Sequence, residues 1–388
     1  MGETKIYLDH AATTFLRKEA FEEMLPFLKE QYGNPSSMYS LAREARQAVN
    51  TARERTASAL GAEEEEIYFT SGGTEANNIA IQGFMKSLGR KGHIIASAVE
   101  HHAVMDVCEE LAREGHRVTY LPVDKYGRVN PEDLKQAIEE DTALISVMTA
   151  NNEVGTIQPV KEIGAFAREK GIVFHTDAVQ AVGHIPLDVK EINADLLSFS
   201  AHKFNGPKGV GGLYVRQGLK VTPLFRGGAQ EKKIRPGTEN VPGIVGMGKA
   251  IELSTGELPG KMDKFTELRD FFIEGLLAME GVILNGHPTQ RLPGNINVCF
   301  TDIEGESILL SLDLEGIAAS SGSACSSGTL DPSHVLMAMG LDHQTAHGSV
   351  RFSLGEGNTR EEIEYVLEKL KPIVARLREM SAVNSRSR

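Results

Sequence analysis

Several short segments carry residue types suited to chemistry on an anionic, aromatic ligand, and each follows an apolar run. Ser71-Gly72-Gly73-Thr74-Glu75 follows Ile67–Thr70 and opens a helical pattern. Glycines let backbone N–H groups approach an anion, and the free amides and dipole of a helix N-terminus favour phosphate. The same residues also suit an ordinary strand-to-helix turn with a threonine cap. No Gly-Lys-Ser/Thr follows, so this is not a P-loop. Glu100-His101-His102 follows His93–Ser97, and a histidine there packs on an aromatic ligand, shuttles protons or is purely structural. Ala150-Asn151-Asn152-Glu153-Val154-Gly155 follows Ala143–Met148, where adjacent amides bond a ligand or hold a turn.

Two charged residues stand out at the ends of apolar runs. Asp177 follows Ile172–His175, and a carboxylate at the end of a buried strand needs a partner, an internal arginine or a protonated ring nitrogen. Lys203, within Ala201-His202-Lys203-Phe204-Asn205-Gly206-Pro207-Lys208-Gly209, follows Leu196–Ser200. A lone lysine is ordinarily a solvated surface group, but this one faces the same sheet edge as Asp177. In open parallel sheets ligands sit beyond the carboxyl ends of the strands. One cofactor accounts for the set: pyridoxal phosphate requires a phosphate cup, a lysine for a Schiff base and an acid beside its pyridine nitrogen. Gly73 and Thr74, Lys203 and Asp177 supply these, and His101 adds a ring to stack.

The elements that must position these residues read as an α/β chain. Between about residues 66 and 215 strand-like runs alternate with helical patterns. The strands are Ile67–Thr70, His93–Ser97, Arg117–Leu121, Ala143–Met148, Ile172–His175, Leu196–Ser200 and Gly212–Val215, and the helices are Thr74–Met85, Ala103–Arg113, Pro131–Glu139 and Val160–Lys170. The alternation predicts a mainly parallel seven-stranded sheet covered by helices, with strands buried on both faces. The charge block Glu63–Glu66 is expected to be a solvated turn. Beyond about residue 260 the pattern changes to helix Asp263–Met279, short segments Val282–Leu284, Asn295–Phe300 and Gly316–Ala319, helix Glu306–Leu312 and a final helix Arg360–Met380. The expected organisation is a large domain over residues 16–260 and a smaller α+β domain made of residues 1–15 and 261–388. The tail Ser381–Arg388 is expected to fray.

Composition narrows the function classes. The 388 residues include 41 basic and 53 acidic side chains, a net charge of −12, which argues against a nucleic-acid or acidic-membrane partner. Runs such as Ala143–Met148 are far shorter than the ~20 residues of a membrane helix, and the opening MGETKIYLDHAATT has no secretory pattern. Three cysteines, Cys108, Cys299 and Cys325, are too few for a disulfide framework, so a reducing cytoplasm is the expected location. His343 and His347 lack partners at metal-ligand spacing, and no structural metal is expected.

The ordered motifs YLDHAATT (7–14), GNPSS (33–37), TSGGTEANN (70–78), EHHAV (100–104), NNEVGTIQP (151–159), HTDAVQAVG (175–183), SFSAHKFNGPKG (198–209), SSGSACSSG (320–328) and VRFSLG (350–355) run through nearly the whole chain. With them the sequence resembles the cysteine desulfurases, fold-type I pyridoxal-phosphate enzymes, in the form that serves iron–sulfur cluster or nitrogenase assembly. The resemblance implies roles residue by residue. Lys203 is the Schiff-base lysine, Asp177 the partner of the pyridine nitrogen, Gln180 the ligand of the phenolic oxygen and His101 the stacking histidine. Gly73, Thr74, Ser200 and His202 hold the phosphate, joined by Thr238 of RPGTEN (235–240) from the other subunit of a homodimer. Asn152 and Arg351 contact the substrate carboxylate, with Asn152 also beside the cofactor. Cys325 carries the persulfide. The chain departs from the family at Gly227-Gly228-Ala229-Gln230-Glu231 and at Pro236, both in the segment that crosses to the partner site.

The implied reaction converts L-cysteine to L-alanine and leaves the sulfur on Cys325, for an iron–sulfur scaffold or another acceptor protein. A buried, neutral Lys203 would exchange its imine with the substrate amine and then move the Cα proton, with His101 assisting. Cys325 is flanked only by Ser, Gly and Ala, a segment that buries little apolar surface and is expected to be mobile. Cys108 and Cys299 are expected to be buried, inert thiols. Arg351 opens the strand-like run VRFSL and suits bidentate carboxylate binding, with a surface ion pair as the plainer alternative. Selenocysteine lyase or cysteine sulfinate desulfinase activity would fit the same scaffold. A non-catalytic assembly scaffold would not need Lys203, Asp177 and Cys325 together, and an aminotransferase would not need Cys325.

Overall fold

Seven strands form the sheet that carries the strand-end residues. In chain order the strands of the protein are β1 (Ile6–Tyr7), β2 (Ile67–Thr70), β3 (His93–Ser97), β4 (Arg117–Leu121), β5 (Thr142–Ser146), β6 (Val173–Asp177), β7 (Leu196–Ser200), β8 (Gly211–Val215), β9 (Val282–Asn285), β10 (Asn295–Phe300), β11 (Ile317–Ala318) and β12 (Ser349–Ser353). The helices are α1 (Lys18–Lys29), α2 (Ser40–Leu60), α3 (Gly73–Ser87), α4 (His102–Arg113), α5 (Pro131–Ala137), α6 (Val160–Lys170), α7 (Val241–Gly256), α8 (Leu258–Leu277), α9 (Gly305–Leu314), α10 (His334–Ala338), α11 (His343–His347) and α12 (Arg360–Arg386). The computed structural model describes residues 6–321 and 332–386, so Cys325 and the tail's last two residues lie outside the described part.

The large sheet runs β2-β8-β7-β6-β5-β3-β4. The pairings among β4, β3, β5, β6 and β7 are parallel, while β8 is antiparallel to both β7 and β2. Strands β3, β7 and β8 are buried at every position, as continuous apolar runs require. Polar groups inside the sheet pair across strands. His93 lies between Thr142 and Thr119 hydroxyls at 2.8 and 2.9 Å, and His175 between Ser146 and Ser198 at 2.8 and 3.1 Å. Burial pushes the His175 imidazole down to about 3, so it stays neutral.

One local expectation is corrected. Strand β4 is only partly buried, with Arg117 and Tyr120 exposed and Leu121 buried, because it closes one edge of the sheet. Glu63–Glu66 is the expected turn before β2, with Glu63, Glu64 and Glu65 exposed and only Glu66 buried. Its last three residues form a 3₁₀ turn with a capping box, and the buried Glu66 carboxylate accepts from Glu63 N and Gln217 N at 3.0 and 2.8 Å. The sequence reading also passed over α1, α2 and α7. Helix α7 is buried on most sides, and Gly248 lets it approach α2 closely: a Cβ there would lie 2.6 Å from Ala52 Cα.

A second apolar cluster gathers Ile6, Leu8, Phe272, Val298, Phe300, Leu312, Ile317, Phe352 and Leu370 from β1, α8, β10, α9, β11, β12 and α12. Strand β1 pairs in parallel with β11, and β12-β10-β9 form an antiparallel sheet. The segment after β1 then crosses to the large sheet, where Thr14 N donates to His202 O at 2.9 Å. Residues 6–10 are thus tied to the C-terminal part of the chain and the next few to the strand-end residues of the large sheet.

Candidate active site

A cavity of about 310 Å³ opens at the carboxyl ends of the parallel strands. Its lining includes Gly73, Thr74, His101, Asn152, Asp177, Gln180, Ser200, His202, Lys203 and Arg351, gathered from positions 73 to 351 in sequence. Of the residues expected at the site, these ten are brought together. Thr238 is exposed and does not line this cavity, and Cys325 falls outside the described residues.

Each lining group is held by an identifiable local cause. Helix α3 begins at Gly73, beside Val179 and Ser200. A Cβ on Gly73 would fall 2.6 Å from Val179 Cγ2, so the helix start approaches the wall only as glycine. Glu75 accepts from Ser71 N and from Arg235 Nε, the latter at 3.0 Å, which ties the turn down. Asp177 ends β6 and is buried. Its Oδ2 accepts from Asn77 Nδ2 at 2.7 Å and its Oδ1 from Val179 N at 2.9 Å. Gln180 is buried and donates to Ala11 O at 2.9 Å.

Lys203 sits in the short 3₁₀ turn after β7. Its Nζ donates to Ala11 O at 2.6 Å and Ala12 O at 2.8 Å. It is half-buried rather than buried as expected, because it stands at the cavity wall and not under it. His202 shares the turn. Burial, then the charges of Lys203 and Lys208, push its imidazole down to about 4, so it is neutral at pH 7. His101 is the N-cap of α4, and its Nδ1 accepts from Ala103 N at 3.0 Å. In the neutral ring the proton is therefore on Nε2.

Arg351 comes from β12, on the other sheet. Its Nη1 donates to Asn152 O and its Nη2 to Asp9 Oδ1, both at 2.9 Å, and the side chain is 3% exposed. It is not a surface ion pair. Behind the wall lies Glu100, fully buried, which accepts from Ser97 Oγ and from Met148 N through one oxygen while the other has no partner among the described residues. Burial pushes its carboxyl up to about 8, and the charge of Asp177 adds to the rise. Cys108 and Cys299 are buried, as expected, and burial pushes their thiols up to about 12 and 11.

Asn77, Glu100, Asp9 and the Ala11 and Ala12 carbonyls escaped the sequence reading. A helical Asn and a pair of backbone carbonyls carry no motif; only the neighbourhood of TSGGTEANN and YLDHAATT pointed that way.

The residues present fit pyridoxal phosphate. The helix N-terminus without a Cβ at Gly73, the Ser200 hydroxyl and the neutral His202 suit a phosphate. The buried Asp177 carboxylate, oriented by two donors but paired with no cation among the described residues, suits a protonated ring nitrogen.

The aminotransferase class-V family model matches residues 6–366. The chain is 58% identical to "Cysteine desulfurase IscS" of Methanosarcina thermophila, covering 97% of this chain and 93% of that protein. Among solved structures it is similar to "NIFS-LIKE PROTEIN", with TM-score 0.91, 40% identity, and coverage of 96% of this chain and 100% of that one. It is also similar to "SspA in complex with cysteine", with TM-score 0.81, 38% identity, and coverage of 90% and 99%. The expected fold class and cofactor are thereby borne out. The chain belongs to the aminotransferase class-V family and, within that pyridoxal-phosphate-dependent family, to the cysteine desulfurases.

Proposed function

We propose that the protein removes sulfur from L-cysteine, releases L-alanine and carries the sulfur as a persulfide on Cys325, for iron–sulfur cluster assembly. The observation that supports it most is one cavity lined by Lys203, the buried Asp177 and the buried Arg351 together. A structural neighbour described as SspA in complex with cysteine supports the substrate class.

Gly73, Thr74, Ser200 and His202 would hold the phosphate, with Thr238 of the partner subunit completing the cup in a homodimer. Pyridoxal phosphate supplies a carbonyl that takes up an amine and a ring that accepts electrons from Cα. Asp177 would keep a proton on the ring nitrogen, and Gln180 would orient the phenolic oxygen. Lys203 would hold the cofactor between cycles and move the Cα proton. His101, which offers Nε2–H from the cavity wall, would lie against the ring. Asn152 and Arg351 take the substrate carboxylate. Cys325, as thiolate, attacks the substrate Sγ. The S–S bond forms as the C–S bond breaks, the electron pair stays with the substrate carbon, and a proton completes L-alanine.

No helix among the described residues is long and apolar enough to cross a membrane, and the proposed location is the cytoplasm. The domain division at residues 15/16 and 260/261 is likewise proposed. It is supported by the separate apolar cluster that joins β1 to the C-terminal elements.

The test is a single turnover with L-cysteine and no reductant, followed by mass spectrometry of the Cys325 peptide. Stoichiometric alanine with one added sulfur on Cys325 is expected. Loaded protein that yields no alanine would overturn the reading.

A further inference from the structure

Arg351 is a cation taken out of water, and an uncompensated charge in that position is strongly destabilising. Asp9 compensates it, with Nη2 donating to Oδ1 at 2.9 Å. The Asp9 carboxylate does not swing on a free loop. Its residue lies two positions after the end of β1, pairs with Ser353 as an isolated bridge, and is preceded by Leu8, whose N donates to Ala318 O at 2.8 Å. The Asp9 carbonyl also accepts from Tyr7 OH at 3.1 Å. Arg351 Nε is buried with no partner among the described residues, so the guanidinium has bonding capacity left over.

The other ionisable groups around the pair do not replace Asp9. Glu153, on the turn that bears Asn152, accepts from Ser333 Oγ, and burial pushes its carboxyl up to about 7 against the opposing charge of Arg351, to which it makes no hydrogen bond among the described residues. Tyr7 is raised by burial and by the Asp9 charge, and stays neutral. The charge of His101 also acts on Glu153. Asp9 is therefore the acid hydrogen-bonded to the cation that faces the cavity. A substrate carboxylate arriving at Arg351 meets a guanidinium already holding one carboxylate, and two carboxylates on one cation leave a negative charge in excess where screening is weak.

We propose that Asp9 is a positioning residue that sets the affinity of the site for α-carboxylate amines: it holds Arg351 against Asn152 O and competes with the incoming carboxylate for that guanidinium. This rests on the desulfurase reading, in which Arg351 takes the substrate carboxylate. Asp9→Asn keeps an acceptor for Nη2 and removes the competing charge. Half-saturation by L-cysteine is then expected at a concentration about three- to tenfold lower, the scale of a partly screened charge pair.

The experiment compares L-cysteine with cysteamine, which has the same amine and thiol and no carboxylate. Wild-type and D9N protein loaded with pyridoxal phosphate are titrated with each, and binding is read from the absorbance change and by calorimetry. A fall confined to L-cysteine is the expected result. No change with L-cysteine, a rise, or an equal change with both amines overturns the inference. Asp9→Ser, smaller and also uncharged, is the second variant if D9N does not fold, with the same expected direction. A wild-type protein that desulfurates L-cysteine but shows no charge effect at Asp9 sinks this inference alone. One that binds neither amine sinks the functional reading and this inference with it.

Discussion

Asn77 Nδ2 donates to Asp177 Oδ2 at 2.7 Å, joining the first turns of α3 to the end of β6 across 100 positions of sequence. Asp177 is thereby fixed by one side-chain amide and one backbone amide, both donors to its charged form. Such bonds to a charged group contribute ~1.5–3 kcal/mol each. Asn77→Ala is expected to weaken cofactor binding by about tenfold to a hundredfold, the equivalent of that energy. Equilibrium titration of the apo-protein with pyridoxal phosphate checks it, and unchanged affinity would show that Val179 N alone orients the carboxylate.

Lys203 lies at the cavity wall with its Nζ bonded to two carbonyls of the segment after β1. Lys203→Ala should lose the visible absorption band of the covalently held cofactor. A band retained in the variant would assign the covalent link to another lysine.

Cys325→Ala is expected to load cofactor and bind L-cysteine as the wild type does, with sulfide release falling by more than about a hundredfold, as for loss of a nucleophile. Sulfide measured under reducing conditions is the readout. Wild-type release by the variant would remove Cys325 from the reaction.

Glu100 is fully buried and its carboxyl is raised to about 8 from an ordinary 4.5. The folded state then binds a proton that the unfolded state has lost, between about pH 4.5 and 8. Stability from this group is present below that window and falls as pH rises through it. Glu100→Gln is isosteric with the protonated acid and does not titrate. Relative to wild type, E100Q should gain stability steadily from pH 5 to pH 8, as read by urea unfolding at several pH values. Taking the difference cancels the opposite trend from His175, whose lowered value loses stability as pH falls below the ordinary histidine range. Parallel stability curves for the two proteins would mean that Glu100 is ionised in the folded state.

Glu231 accepts from Arg53 Nη2 at 2.6 Å, from Arg53 Nη1 at 3.0 Å and from Phe69 N at 2.8 Å, and it is held at φ 42° within a run of three left-handed residues. Glu231→Ala would leave a partly buried guanidinium with the Ile67 carbonyl but no counter-ion, and a buried amide without its acceptor. A loss of about 3 kcal/mol is expected, measured by denaturant unfolding. A loss below about 1 kcal/mol would place this pair with exposed ion pairs.

The sequence by itself determined what is local. The runs Ile67–Thr70, His93–Ser97, Leu196–Ser200 and Asn295–Phe300 appear as strands with the expected bounds, and Val160–Lys170 as the expected helix, because a strand buried on both faces shows as an unbroken apolar run. The residues placed after those strands, from Gly73 to Lys203, fall on one sheet edge for the same reason: parallel connections return every carboxyl end to the same side. The tertiary structure alone decided what depends on distant partners. Strand β4 reads like its neighbours but is only partly buried, since strand order makes it an edge. Helices α2 and α7 meet through small residues, Gly248 against Ala52, which leaves little trace in a hydrophobic pattern. Asp9 and Arg351 lie at opposite ends of the chain, and Asn77 and Asp177 lie 100 residues apart. A charged residue in sequence carries no mark of its counter-ion. Only burial, which makes an unpaired charge costly, selects the partner, and burial exists only once the sheets have assembled.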